Sequence, residues 1–450
     1  MDDTQITEAL KTATDTRDVV LGEGALGAVG ETFKRNFGDA TAVIVADGIT
    51  WDVAGPPVEQ SLRDAGCPMV DPYVYPGRPT LYAKHENCAP LAESLRGHDA
   101  IPVAVGAGTL NDLVKRSAHE VDRPYMVVGT AASMDGYTAF GASLAVAGHK
   151  QTMTCPAPRA LVADIEVLVD APDRMTASGY GDLLGKIPAG ADWILADALG
   201  VEPIDDVVWA RVQGPLRDAV GRPAELQAGD RAAMDALIEG LVMSGLAMQA
   251  AQSSRPASGA EHQFSHLWEM EGLGRDEDPP LSHGFKVGLG TVSIAALYER
   301  VLARDLWAID VDALVDAWPS QEEMEQSVRA VHDLLEDMAV EQTLAKYLTG
   351  DQLRERLERL RDVWPQVRER LVDQLLPPEQ LEQMLQAAGS PTRPSQIGLD
   401  MDAFRATYTR AQMIRTRYTI LDVAKEAGIL DDCVEELFAP GGFWADGSRH

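Results

Sequence analysis

The chain is short of cysteine. Four occur in 450 residues, Cys67, Cys88, Cys155 and Cys433, and none is in CxxC spacing. Neither a zinc knuckle nor a disulfide framework is expected, and reduced, buried thiols are. Positive charge is scarce too: 39 Lys and Arg face 70 Asp and Glu, a formal net charge of -31. That excess would repel nucleic acid and anionic membrane surfaces, which are excluded as partners. An anionic small molecule would need a local positive site, such as a metal, an arginine or a helix N-terminus. No apolar run reaches membrane-spanning length, and the polar, acidic start MDDTQITEALKTATD does not read as a signal peptide. A cytoplasmic protein is the expectation. No full G-x-G-x-x-G follows the first apolar run, so an ordinary Rossmann assignment is not supported.

What is present is enough apolar material for two sizeable cores, at 45% of residues. Up to residue 171, short apolar runs at 42–46, 101–105, 125–128 and 160–165 alternate with helix-like stretches at 58–65, 90–96 and 109–119. A further strand is expected at 19–21, ahead of Gly22 and Gly24. Alternating strands and helices predict a parallel α/β sheet with ligands at the strand C-terminal ends. The character changes at Ala171-Pro172. Leu, Ala and Met recur at helical spacing over 179–199, 230–251, 283–304, 322–338, 352–371 and 401–427. This predicts a first domain over 1–171 and an all-helical second domain over 172–450. The final APGGFWADGSRH reads as a loose tail.

Candidate chemistry concentrates at 253–291, which holds His262, His266 and His283. His262 and His266 are i and i+4, on one face of a helix. With a third imidazole from the next element they can converge on a metal, although packing or solvated histidines show the same spacing. Gly259 and Gly284 let backbone approach closely. Upstream, Gly106-Ala107-Gly108-Thr109-Leu110 follows a predicted strand and opens a predicted helix. That is the context of a phosphate loop, and equally of a tight turn. Asp47 ends the 42–46 run, where it would accept from a ribose hydroxyl or cap the next helix. The small residues of Thr130-Ala131-Ala132-Ser133 would let a flat ring lie against backbone, with Asp135 just beyond. Asp182, where the helical half opens, is either a cap or the oxygen ligand completing an Asp/His/His set.

GAGTLND (106–112), TAASMDGYTAFGAS (130–143), GYGDLLGK (179–186), RPASGAEHQFSH (255–266) and SHGFKVGLGT (282–291) occur in this order. Together they resemble the sn-glycerol-1-phosphate dehydrogenase family, within the iron-containing alcohol dehydrogenase and dehydroquinate synthase-like superfamily. RTRYTILDVAKEAGIL (415–430) is similar to that family's C-terminal helix, and the resemblance spans most of 20–430. It implies an α/β N-terminal dinucleotide-binding domain plus an all-helical C-terminal domain, with one divalent metal in the cleft between. Asp182, His262 and His283 would hold the metal, zinc first, nickel or iron otherwise. His266 and Asp135 would be catalytic and, with Asp182, would meet substrate. Gly106 to Asp112 and Thr130 to Ser133 would contact NAD or NADP; the candidate cofactor residues are Gly106, Ala107, Gly108, Thr109, Leu110, Thr130, Ala131 and Ser133, with Asp47 at the ribose.

The implied reaction is reversible hydride transfer between NAD(P)H and dihydroxyacetone phosphate, yielding glycerol 1-phosphate, in lipid metabolism. A small phosphorylated polyol or ketone is the expected partner and a homo-oligomer the expected assembly. Arg255, Lys186 and Lys286 are the nearest cations in sequence for the phosphate. The rival readings are a dehydrogenase of another polyol, a dehydroquinate synthase-like cyclase and a nucleotide-binding sensor. The chain departs from the family pattern at Ala139, often serine there, and at Pro188 after the Gly-Lys pair.

Overall fold

Eight short strands precede residue 165: β1 (Asp18–Gly22), β2 (Ala42–Asp47), β3 (Tyr73–Tyr75), β4 (Ile101–Gly106), β5 (Met126–Gly129), β6 (Ala142–Val146), β7 (His149–Met153) and β8 (Ala160–Asp164). They belong to a computed structural model that describes residues 3–146 and 149–445. Six strands form one sheet in the order β1-β8-β5-β4-β2-β3, with every pair parallel. The apolar runs of β2, β4, β5 and β8 are buried almost throughout, as strands covered on both faces must be. Side chains alternate between two cores. Ile44, Val103, Val105, Val128 and Val162 face Val29, Phe33, Val58 and Leu62. Val43, Val45, Ala104, Val127 and Leu161 face the other way, into a core that continues through Leu183, Leu241 and Leu289 of the helical half.

The connection after β2 runs to β3 on one side, and that after β4 runs to β5 on the other. The carboxyl ends of β2 and β4 therefore border a crevice, the place where open parallel sheets take ligands. Asp47 and Gly106 end those two strands. β3 and the antiparallel hairpin β6–β7 were not expected from sequence. β3 is three residues long between Pro72 and Pro76, and β7 is polar, so neither shows an apolar period.

Helices make up the rest, with several breaks inside the expected spans. The 179–199 span is two helices, Asp173–Leu184 and Lys186–Ala198, parted at Gly185. The 322–338 span falls in Gln321–Val331 and Glu336–Ala345. In 401–427, Met401–Arg410 and Ile420–Glu426 are helical, but 415–419 between them is not. Arg415 is extended at φ -151 and ψ 149, and Thr419 with Asp422 forms the capping box that starts the last of these helices. The 415–430 segment therefore becomes helical only at Ile420.

The loose tail is corrected as well. Phe443 and Trp444 are buried, and Trp444 Nε1 donates to the Tyr408 hydroxyl at 2.8 Å. The last part of that tail, 446–450, lies outside the described residues. Among the described residues no helix is long and apolar enough to cross a membrane.

Candidate metal and nucleotide site

Three helices carry the expected donors. Asp173–Leu184 holds Asp182, Ala260–Met270 holds His262 and His266, and His283–Leu302 opens with His283. Glycine allows them to meet. A Cβ on Gly284 would stand 1.8 Å from the Ser178 carbonyl oxygen, and one on Gly290 would stand 2.6 Å from that of Glu261. The His283 helix thus lies backbone against backbone on both of the others. The loop after β5 is fastened to the same place. Ser178 Oγ donates to Ser133 O at 3.1 Å, and Asp135 N donates to Asp182 Oδ2 at 3.0 Å.

Asp182, His262 and His283 each offer a donor atom within 4.8 Å of the others. Lys186, one turn beyond Asp182, places Nζ 2.7 Å from Asp182 Oδ1 and 2.8 Å from Asp135 Oδ2. Ser244 Oγ donates to Asp135 Oδ2 at 2.9 Å. Burial by itself would raise the Asp182 carboxyl, but Lys186, His262 and His283 outweigh it and hold the group well below the usual carboxylate range. His262 Nε2 is 3.5 Å from Asp182 Oδ1, while its Nδ1 is 2.7 Å from Glu261 Oε1. Burial alone would lower that imidazole, and its bonds to Asp182 and Glu261 raise it above its ordinary pKa instead. His283 Nδ1 is 2.9 Å from Glu269 Oε1. Two imidazoles and one carboxylate at this spacing fit a divalent ion of the zinc, nickel or iron type.

His266 borders the same space. Its ring stacks on that of His283 with centroids 5.7 Å apart and planes at 16°. Its Nδ1 is buried and, among the described residues, has no hydrogen-bond partner. Burial first, and the Arg415 charge next, hold its pKa well below the ordinary value, so it is neutral at pH 7.

At the nucleotide end, Gly106 closes β4, Ala107 is the N-cap, and Gly108, Thr109 and Leu110 begin the helix Gly108–Glu120. Thr130 N donates to Gly106 O at 3.2 Å, which sets Thr130, Ala131 and Ser133 beside that turn. Asp47 is a cap: its Oδ1 accepts from Ile49 N at 2.8 Å and Thr50 N at 2.9 Å. Arg255 is already engaged, donating to Tyr418 O at 2.9 Å and Asp192 O at 2.6 Å. It is buried, and with Lys186 held by two carboxylates neither is available to a phosphate. Lys286 reaches Leu281 O at 3.4 Å and lies 4.0 Å from Glu269 Oε1.

Residues missed from sequence include Glu269, Ser244 and Lys115. The buried Lys115 ammonium donates to the carbonyls of Gly136, Ala139 and Gly141 at 3.1, 2.9 and 3.0 Å and so fixes the loop after Asp135. Nothing in sequence separates it from a solvated lysine.

The family profile for iron-containing alcohol dehydrogenases matches residues 20–172, the sheet half. A solved structure of a probable glycerol dehydrogenase from Sinorhizobium meliloti 1021 shares the fold, with a TM-score of 0.60 at 15% identity, covering 93% of this chain and 98% of that one. The NAD(P)+ glycerol-1-phosphate dehydrogenase of Bacillus subtilis (strain 168) is 31% identical over 413 residues, 91% of each chain. The chain belongs to the glycerol-1-phosphate dehydrogenase family. A second curated member, from Halalkalibacterium halodurans, is 36% identical over 284 residues, 63% of this chain and 71% of that one. All three donor residues lie beyond the span of the broader alcohol dehydrogenase profile, in the helical half.

Proposed function

We propose that this member of the glycerol-1-phosphate dehydrogenase family reduces dihydroxyacetone phosphate to glycerol 1-phosphate, reversibly, with NADH or NADPH. By family it is an NAD(P)-dependent oxidoreductase acting on a small molecule. The observation that carries the reading is the convergence of Asp182, His262 and His283 within 4.8 Å, next to the loop that follows β5. In this reading the three side chains hold a divalent metal, zinc first. Bound there, the metal would supply Lewis acidity towards a carbonyl oxygen, and the nicotinamide would supply hydride. Gly106 to Leu110, with Thr130, Ala131 and Ser133, would take the dinucleotide against backbone and helix N-terminus, with Asp47 near its ribose. Asp135, held by Lys186 and Ser244, would orient the substrate. Neutral His266, with its unpartnered Nδ1, would exchange a proton or hydrogen bond with the substrate hydroxyl.

A phosphate needs a cation not already engaged, and Arg415 is the one we assign. It lies in the non-helical 415–419 segment, which is fastened to the histidine helix by Gln263 Nε2 donating to Arg417 O at 3.0 Å. Arg417 donates to Ser258 O, just before that helix, at 2.7 Å, and Arg415 lies close enough to His266 to lower its pKa. Among the described residues no hydrogen bond or salt bridge holds Arg415.

The test is NADH and NADPH oxidation by the metal-loaded protein with dihydroxyacetone phosphate and with dihydroxyacetone. Turnover of the phosphorylated ketone only is expected, and Arg415→Met should raise its KM by about 10²-fold, the loss of a charge-assisted phosphate contact. Equal turnover of both ketones would overturn the phosphate assignment. A homo-oligomer is proposed as the assembly; Ile49, Val53 and Val74 expose apolar surface near the sheet edge at β3, and sedimentation decides it.

A further inference from the structure

An imidazole can meet a cation through either nitrogen, and only the one without a proton does so. The position of the ring proton therefore decides which atom is the donor. His262 Nδ1 is 2.7 Å from Glu261 Oε1, and His283 Nδ1 is 2.9 Å from Glu269 Oε1. A carboxylate oxygen at that distance is the acceptor for a ring N–H, so Nδ1 is the nitrogen that keeps its proton when the other meets a cation. A bound cation would displace the proton of Nε2, and in His262 it is Nε2 that faces the second donor, Asp182 Oδ1, at 3.5 Å. We propose that Glu261 and Glu269 are positioning residues, each holding one of the two histidines in the tautomer that offers Nε2 to a divalent cation. The inference rests on the proposed metal site and is independent of the substrate.

The two carboxylates differ in how firmly they are held. Glu261 is fully buried, and its Oε1 also accepts from Gly259 N at 2.8 Å. Gly259 is needed behind it, because a Cβ there would come within 2.8 Å of Glu261 Oε2 and 2.4 Å of Asp192 Oδ2. Glu269 is less essential, because Ser265 Oγ lies 3.2 Å from the same His283 Nδ1 and can accept its proton. Among the described residues no second acceptor stands beside His262 Nδ1.

The test is competition for Zn2+ between a chromophoric chelator and the full chain, for wild type, Glu261→Gln, Glu269→Gln and Glu269→Gln with Ser265→Ala. Glutamine keeps the size and an accepting oxygen but not the charge. Carboxylates in this role typically contribute about 10- to 100-fold to affinity. Glu261→Gln should therefore weaken Zn2+ binding by about 10- to 100-fold, and Glu269→Gln by about 10-fold or less, the deficit growing when Ser265 is also lost. Proton–nitrogen NMR of the zinc-loaded wild type should show both rings protonated at Nδ1.

Unchanged zinc affinity in a folded Glu261→Gln protein, or rings protonated at Nε2, would overturn the proposal. If Glu261→Gln does not fold, the Glu269 pair and the wild-type spectrum decide it. A wild type that takes up no divalent ion removes the metal reading itself. Tight wild-type binding with unaffected variants removes only the present inference.

Discussion

His262 and His266 stand one helical turn apart and do different work in the proposed site. His262 meets Asp182 and Glu261, whereas His266 stacks on His283 with a nitrogen left unpartnered. His262→Ala should lose bound metal and nearly all activity while the fold survives. His266→Ala should keep the metal and lose about 10²- to 10⁴-fold in kcat/KM, the usual worth of a proton-transfer group. His266→Asn should recover part of that loss. Metal content and kinetics on the same preparations check this, and a metal-free His266→Ala beside a loaded His262→Ala would invert the assignment. At this scale the sequence showed the histidines, Asp182 and Asp135, because their spacing and the resemblance mark them. It did not show Glu269, Lys115 or Arg415. Each is an ordinary charged residue whose meaning comes from a segment distant in the chain, as Lys115 does from the carbonyls of 136–141.

Among the elements, the four long strands were legible as apolar runs, and the helices of 231–251, 283–302 and 350–374 as periodic stretches. The breaks were not, because Gly185 sits inside an apolar run and the short polar 415–419 stretch reads as one more exposed turn between the apolar residues on either side. The contact between the Asp182 and His283 helices gives a prediction of its own. Ala is intrinsically better than Gly inside a helix by about 1 kcal/mol. Gly284→Ala would set its Cβ 1.8 Å from the Ser178 carbonyl, a backbone atom that no rotamer change can move aside. Overpacking of this kind costs about 1–3 kcal/mol or more, so the packing term wins. Gly284→Ala should lower the urea midpoint and weaken metal binding together. A variant with unchanged midpoint and unchanged metal affinity would mean that the helices part freely there.

For the molecule as a whole, stability should fall in mild acid for a reason remote from the site. His332 is fully enclosed, and burial first, then Arg410, pull its pKa down to about 4 from an ordinary 6.5. Between those values the unfolded chain binds a proton that the folded chain refuses. Stability is therefore intact above about pH 6.5 and is lost as the pH falls towards 4, by about 3 kcal/mol from this residue. Other groups titrate in that range too, so the measurement is a difference: unfolding free energy against pH for wild type and for His332→Leu. The variant should show the shallower acid limb, and parallel limbs would refute the assignment.

The acidic balance described at the outset also has a kinetic face. A divalent ion at the triad would offset the carboxylates next to it, but the chain carries -31 overall. A phosphorylated substrate therefore approaches against the field. Salt screens exposed charges beyond about 10 Å at 0.1 M. Moderate ionic strength should then quicken substrate capture, the reverse of an enzyme that draws its anionic substrate in, and dilute buffer should be where this protein is slowest to bind.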